Sequence, residues 1–146
     1  MLLVLWSIWA ASHLVALATP PPADSAEAIR ARLLAFAPAS IATGQAVAFR
    51  LRVAGCACAA PAALALPGIH SVDLRDRPAP LALPYALIVF DAHARLIYAG
   101  PAHLAGCGTS IAAAALIPRL LAAGDTSPLI SPAQCGCPTD SKEPLA

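Results

Sequence analysis

Charge is scarce in this sequence, and neither sign dominates. Only 12% of the 146 residues are charged, and nine Lys and Arg nearly balance eight Asp and Glu, giving a net charge of +1. The arginines are scattered singly along the chain, so no basic patch or stripe is offered to nucleic acid or to a strongly acidic partner. Alanine supplies much of the 59% hydrophobic fraction, so an Ala-rich stretch alone says little about structure.

The motifs of several enzyme classes are also missing. The sequence contains no Gly-rich phosphate loop, no Ser-His-Asp arrangement and no paired-carboxylate signature, which removes support for nucleotide-dependent, serine-hydrolase and carboxylate-based chemistry. It has no internal repeat of about 20–50 residues either. A chain of 146 residues suits one compact domain with terminal extensions.

The first eighteen residues contain no Asp, Glu, Lys or Arg, so they can enter a membrane without burying a charge. Ala16 and Ala18 supply the small residues that precede a signal-peptidase site, and Thr19 to Pro22 then ends any helix. Residues 1–18 therefore fit a cleaved signal peptide or an uncleaved anchor. Either one predicts a periplasmic protein or a protein of the bacterial inner membrane that faces the periplasm. The alternative is a buried core helix.

Periodicity predicts an α/β domain over 40–124, preceded by a linker and short helix over 19–39 and followed by an irregular, Cys-containing tail over 125–146. Turn and cap signals divide this region further. The predicted helices cover about 24–37, the Ala-rich stretch after Cys58, and about 110–123, where Pro118 allows a kink or a late start. The predicted strands cover 47–54, 69–74, 85–90 and 95–99, with a loop over 76–80 and a hairpin turn at 91–94.

Five cysteines stand out, as Cys56-Ala57-Cys58, Cys107 and Cys135-Gly136-Cys137. In an exported chain such a set indicates disulfides, thiol exchange or metal binding, because the compartment lets oxidised pairs persist. A set of purely stabilising disulfides with one leftover thiol is the plain alternative. Position within the domain is what favours exchange chemistry, since Cys56 and Cys58 directly follow a predicted strand and precede a predicted helix.

This order of elements resembles that of thioredoxin-like proteins: a strand ending in a Cys pair, a helix, a strand, and a Pro before a buried strand and hairpin. The most similar segment, LPYALIVFDAHARLIYAG over 83–100, resembles periplasmic, TlpA-type thioredoxins. The Cys-x-Cys pairs and the Gly-Cys-Gly at 106–108 resemble, more closely, a bacterial family of membrane-anchored thioredoxin-like domains of undetermined function. The resemblance implies a central mixed sheet flanked by helices, with Pro84 as a cis-proline beside the substrate.

Thiol chemistry assigns roles to the first pair. A helix N-terminus lowers a thiol pKa, so Cys56 is the expected nucleophile and Cys58 the resolving thiol. One intervening residue gives a smaller and more strained disulfide ring than the two of thioredoxins, and strain makes a disulfide more oxidising. Six residues before Cys56, where many thioredoxins bury an acid, this chain has Arg50. Arg50 is expected on the solvated face of its strand, although facing the site it would favour the thiolate.

The predicted function is therefore thiol–disulfide exchange, with envelope protein thiols or a redox partner protein as substrate and no cofactor. One alternative is copper or zinc handling by the cysteines, with His70, His93 and His103 as weak further candidates because a lone loop His is usually solvated. The other alternative is a non-catalytic binding module with structural cysteines. Cys107 is either a third redox thiol at a helix N-terminus or the partner of Cys135 or Cys137, whose segment has little apolar content to hold it in place.

Overall fold

The chain is a mixed α/β domain built on one twisted sheet. The computed structural model describes residue 6 and residues 24–38, 41, 44–54, 65–106, 109–124 and 127–132. Within them lie two helices, α1 (Ala26–Phe36) and α2 (Ala113–Ala123). The strands there are β1 (Val47–Arg52), β2 (His70–Pro78), β3 (Leu87–Phe90), β4 (Leu96–Gly100), β5 (His103–Gly106), β6 (Thr109–Ala112) and β7 (Leu129–Ile130).

Five of these strands form the central sheet in the order β2-β1-β3-β4-β7, and β5 with β6 forms a separate two-stranded ribbon. β1 runs parallel to β2 and antiparallel to β3, while β4 runs antiparallel to β3 and parallel to β7. The predicted central mixed sheet is therefore confirmed. β3 is central and every residue in it is buried, as its continuous apolar run predicts.

Alternation along the strands separates the core into two layers. Phe49 belongs to a cluster on one face, where Ile29 and Leu33 of α1 cover it. Ala48 belongs to a cluster on the other face, where Ala113 and Ile117 of α2 cover it. Successive residues of a strand point to opposite faces, so the sheet is sandwiched between the two helices.

The first predicted helix is confirmed with bounds close to those expected. Ser25 is its N-cap, and the side-chain oxygen accepts a hydrogen bond from the Ala28 amide at 3.2 Å. Capping satisfies one of the amides that a helix start leaves without an intrahelical partner. The helix ends before Pro38, which has no amide hydrogen to continue it.

Two predicted boundaries and the description of the tail are wrong. The second strand continues through the expected loop to Pro78, where the Arg77 guanidinium lies over the Phe36 ring at 4.5 Å. The last helix begins at Ala113, because Thr109–Ala112 pair with β5 instead. The tail is not wholly irregular, since Leu129–Ile130 pair with β4.

Gly100 ends β4 at a point with no room for a side chain. A Cβ built there would lie 2.6 Å from the Tyr98 hydroxyl oxygen and 3.2 Å from the Ser131 carbonyl oxygen. Tyr98 cannot easily move, because it is fully buried and its hydroxyl donates to the Pro101 carbonyl at 2.6 Å.

We therefore expect Gly100→Ala to lower the free energy of unfolding by about 1–3 kcal/mol, as overpacking of a core does. Urea titration of both proteins measures the change. The matched comparison adds the substitution to Tyr98→Leu, which removes both close atoms of Tyr98, the hydroxyl oxygen at 2.6 Å and the ring carbon Cζ at 2.8 Å, so the alanine should then cost less. Equal costs in both backgrounds would contradict the steric explanation.

Candidate functional site

The leading candidates, Cys56 and Cys58, follow the carboxyl end of β1. Both lie outside the described residues, as do Cys107, Cys135 and Cys137. The described chain before Cys56 runs to Ala54 and resumes at residue 65. Leu66 then packs in the same cluster as Ala48, so the described residues just before β2 lie on the α2 face of the sheet.

The strand registers show where the cysteine-bearing segments attach to the sheet. Phe49, Ile88, Ala99 and Ile130 are successive partners, and so form one row across β1, β3, β4 and β7. From that row, β1, β4 and β7 all run in the same direction. Cys56 lies seven residues beyond Phe49, Cys107 eight beyond Ala99, and Cys135 five beyond Ile130. All three cysteine segments therefore leave the sheet at one end.

Pro84 lies at this same end, but its peptide bond is trans. None of the described peptide bonds is cis, so the predicted cis bond between Leu83 and Pro84 is wrong. The trans isomer is intrinsically favoured by about 0.5–1 kcal/mol. The chain already turns just before this bond, where the Leu83 amide donates to the Pro80 carbonyl at 2.8 Å. A cis bond is therefore not needed to change the direction of the chain.

The register nevertheless puts the Pro84 segment beside the end of β1. β1 and β3 pair with Arg50 opposite Leu87, and the Leu51 amide donates to the Ala86 carbonyl at 2.9 Å. Continued by two further residues, the same register sets Val53 opposite Pro84. Pro84 therefore lies near the strand end that leads towards Cys56 with its peptide bond in the trans form.

A polar network that sequence analysis missed holds the Pro84 segment against α1. Tyr85 is fully buried, and its hydroxyl donates to the Asp24 carboxylate at 2.9 Å. Arg32 donates to the same carboxylate oxygen at 2.8 Å and to the Ala82 carbonyl at 3.0 Å. Burial, followed by the hydrogen bond to Asp24, raises the pKa of Tyr85 well above its usual value. The sequence pattern places Asp24 only at the start of the predicted helix over 24–37, and nothing in that pattern points to Tyr85 as its partner.

Arg50 is not the solvated side chain that was expected. Its side chain is only 14% exposed, and its guanidinium lies 3.9 Å from the Asp73 carboxylate. Arg50 shares the face of Ala48, where the β1–β2 connection and α2 cover the sheet. Strand alternation correctly placed Arg50 on the face opposite the Phe49 cluster. It gave no information about which elements pack on the face that Arg50 shares with Ala48.

Asp73 is already bound by a second arginine. Arg75 donates to its two carboxylate oxygens at 2.8 Å and 2.6 Å, and this pairing lowers the pKa of Asp73 to about 2. Asp73 and Arg75 line an open cleft of about 420 Å³ together with Arg52 and Asp76. Asp73 therefore faces two guanidinium groups, that of Arg75 within hydrogen-bond distance and that of Arg50 at 3.9 Å.

The remaining candidates have mixed outcomes. Cys107 does not precede a helix, because Gly106 ends β5 and Thr109 begins β6; the prediction of a helix N-terminus is wrong. His70, His93 and His103 are exposed. Among the described residues, no three His, Cys, Asp or Glu side chains come together as metal ligands, and the cysteine-based metal hypothesis falls outside those residues.

A second cleft lies at the opposite end of the sheet. Its volume is about 360 Å³, and its lining includes Arg30, Phe90, Arg95, Gly124 and Pro128. These residues surround the β3–β4 turn and the end of α2, so this cleft is remote from the strand ends that lead to the cysteines.

Within the described ranges, no helix is long and apolar enough to cross a membrane; the predicted segment 1–18 lies outside those ranges except for Trp6. No known family model matches the chain, and no curated protein or solved structure gives a significant match.

Proposed function

We propose that this chain is a thioredoxin-like thiol–disulfide exchange protein of the bacterial cell envelope, with Cys56 as the attacking thiol and Cys58 as the resolving thiol. The observation that carries the proposal is the arrangement at one end of the sheet. β1 leads into Cys-Ala-Cys, the connection returns to a parallel β2, and the Pro84 segment joins the buried β3. A β3–β4 hairpin, the β5–β6 ribbon and α2 then follow. The helix that the resemblance implies after Cys58 falls outside the described residues.

The charges near the end of β1 suit a reactive thiol. The thiolate is the nucleophile in disulfide exchange, and nearby positive charge stabilises it. Arg50, whose side chain is largely buried, supplies a positive charge six residues before Cys56, where many thioredoxins carry an acid. Because Arg50 stands where that acid would be, we assign activation of Cys56 to electrostatics.

The trans Pro84 bond changes how a substrate would be held. Proline has no amide hydrogen, so the segment before Tyr85 offers carbonyl groups to an extended peptide without competing for the thiols. The Tyr85–Asp24–Arg32 network fixes this segment in place. Binding therefore relies on a rigid Pro84 segment, not on a cis bond.

Copper or zinc handling is the second candidate, and one observation favours it. Three cysteine-bearing segments leave the sheet at the same end, and soft thiolates suit both metals. The two functions make different demands on Cys58, because exchange needs a second thiol to release a substrate, whereas a metal needs it as a ligand.

Replacing Cys58 by serine separates the two. We expect the full-length C58S chain to accumulate mixed disulfides through Cys56 on non-reducing gels of envelope extracts, because the resolving thiol is missing. The matched control, Cys56→Ser, should accumulate at least about tenfold less mixed disulfide, because Cys58 is the poorer nucleophile.

Metal binding is measured on the same proteins. If the parent chain takes up stoichiometric copper(I) or zinc, if C58S abolishes this uptake, and if no partner is trapped, the metal function replaces the proposed one. If C58S and C56S trap equally little and the parent binds no metal, the cysteines are structural and the non-catalytic alternative stands.

A further inference from the structure

The cleft at the end of the sheet opposite the cysteine segments lies between α1, the β3–β4 turn and the residues that lead into β7. Its volume is about 360 Å³, which is within the range of pockets that hold small molecules. Most of the residues that line it are apolar, and Phe90, Leu96 and Ile97 among them are buried. The cleft therefore offers a small molecule an apolar floor that belongs to the core of the domain.

Two irregularities of the backbone shape the wall of this cleft. The register of β3 against β4 shifts after Val89, which makes Ile97 the extra residue of a β-bulge, and bulges are over-represented beside functional sites. Ala94 has a φ of 59°, in the left-handed region that alanine adopts only at an energetic cost. Such conformations are concentrated at sites that hold ligands. The fold therefore maintains the shape of this wall against the local preference of its backbone.

Arg30 brings unused hydrogen-bond donors to this apolar floor. Its Nη1 donates to the Ala94 carbonyl at 3.4 Å, which is long for a hydrogen bond, and within the described residues its guanidinium forms no ion pair. Arg95 also lines the cleft, but its guanidinium already donates to the Asp91 carboxylate at 2.8 Å and to the Gly124 carbonyl at 3.0 Å. A guanidinium has five N–H donors, so Arg30 keeps most of its donors for a bound anion.

We propose that this cleft binds a small organic acid that has one carboxylate and an apolar body. The carboxylate accepts two parallel hydrogen bonds from the Arg30 guanidinium, and the apolar body covers Phe90 and Leu96. Glu27 lies one turn before Arg30 on α1 and also lines the cleft, so a second carboxylate on the ligand would be repelled. The site is independent of the cysteine chemistry, because it lies at the opposite end of the sheet.

The test titrates the full-length chain in mild detergent with phenylpropionate and follows two-dimensional amide NMR spectra at neutral pH. The amide signals of Arg30, Ala94 and Ile97 should shift and saturate together. Phenylpropanol lacks the carboxylate, acetate lacks the apolar body and phenylsuccinate adds a second carboxylate, so each should bind at least about tenfold more weakly. Arg30→Gln should weaken phenylpropionate binding by a similar factor. Arg119→Gln is the matched control, because it removes the same charge from an exposed position on α2 outside the cleft, and it should leave binding unchanged.

Three outcomes would overturn the proposal. If phenylpropanol binds as tightly as phenylpropionate, the cleft recognises apolar bodies without the carboxylate. If Arg119→Gln weakens binding as much as Arg30→Gln does, the acid responds to net charge and not to this guanidinium. If the amide signals of Ala94 and Ile97 show no saturable shift, the acid does not occupy the cleft. The Arg30 side chain is exposed, so Arg30→Gln should keep the parent fold, and the dispersion of the same amide spectra verifies that it does.

Discussion

Phe49→Ala is expected to lower the free energy of unfolding by about 3–5 kcal/mol, as removal of a buried aromatic ring does. The Phe49 side chain is 1% exposed and meets the Phe90 ring edge to face, with 6.1 Å between the ring centroids. This pair joins β1 to β3, the strand that leads to Cys56 and the strand that follows Pro84. A loss of this size is a large share of the roughly 5–15 kcal/mol that stabilises a typical domain.

Guanidinium denaturation followed by far-UV circular dichroism measures the effect. Leu81→Ala is the matched control, since Leu81 is a large apolar side chain that is 83% exposed, and its loss should change stability by less than about 0.5 kcal/mol. Phe49→Leu keeps much of the buried volume and should fall between the two. Similar midpoints for all four proteins would show that the interface between β1 and α1 contributes little.

Asp91→Ala is expected to cost about 2–4 kcal/mol near neutral pH, because it leaves several donors unpaired. Asp91 is buried at the β3–β4 turn, and one carboxylate oxygen accepts from the His93 and Arg95 amides, each at 2.8 Å. The other oxygen accepts from the Arg95 guanidinium at 2.8 Å. Asp76→Ala is the control, because the Asp76 side chain is exposed and forms no hydrogen bond or ion pair with the described chain.

The cost of Asp91→Ala should also depend on pH. Burial alone raises the pKa of the Asp91 carboxyl, but the Arg95 amide, the Arg95 guanidinium and the His93 amide together lower it below the ordinary value. A carboxyl with a lowered folded-state pKa stabilises the fold above its unfolded pKa of about 3.9. That stability is lost as pH falls through the folded-state pKa. The difference between the two proteins should therefore shrink in acid below about pH 4, and a constant difference would contradict the assigned cause.

The elements that sequence analysis predicted well are those specified by their own residues. β3 is a continuous apolar run, the following turn begins with an Asp that binds the amides of the next residues, and α1 carries its own cap. The β5–β6 ribbon is a local hairpin, and it was missed because most of β6 was assigned to the start of the last predicted helix. β7 was missed because long-range pairing defines it. β7 has only two residues and pairs with Tyr98 and Ala99 of β4, about thirty residues earlier in the chain.

The candidate site was predictable in part. The position of Pro84 near the cysteine pair was expected from the resemblance alone, and the registers place Pro84 at the end of the sheet where β1 ends. The isomer of the Pro84 bond, the cover over Arg50 and the Tyr85–Asp24 hydrogen bond all depend on tertiary contacts between distant segments. The hydrophobic periodicity of the sequence and its secondary-structure propensities carry no information about such contacts.

β2 forms one edge of the sheet, and its nine residues include Asp73, Arg75, Asp76 and Arg77, before Pro78 ends it. An open edge is a template on which another strand can grow, so a long apolar edge invites aggregation. Here, a strand that added to the edge would have to accommodate closely spaced charges of both signs and the ring of Pro78. In a chain with a mean hydropathy of +0.72, that concentration of charge disfavours the addition of a second apolar strand at β2.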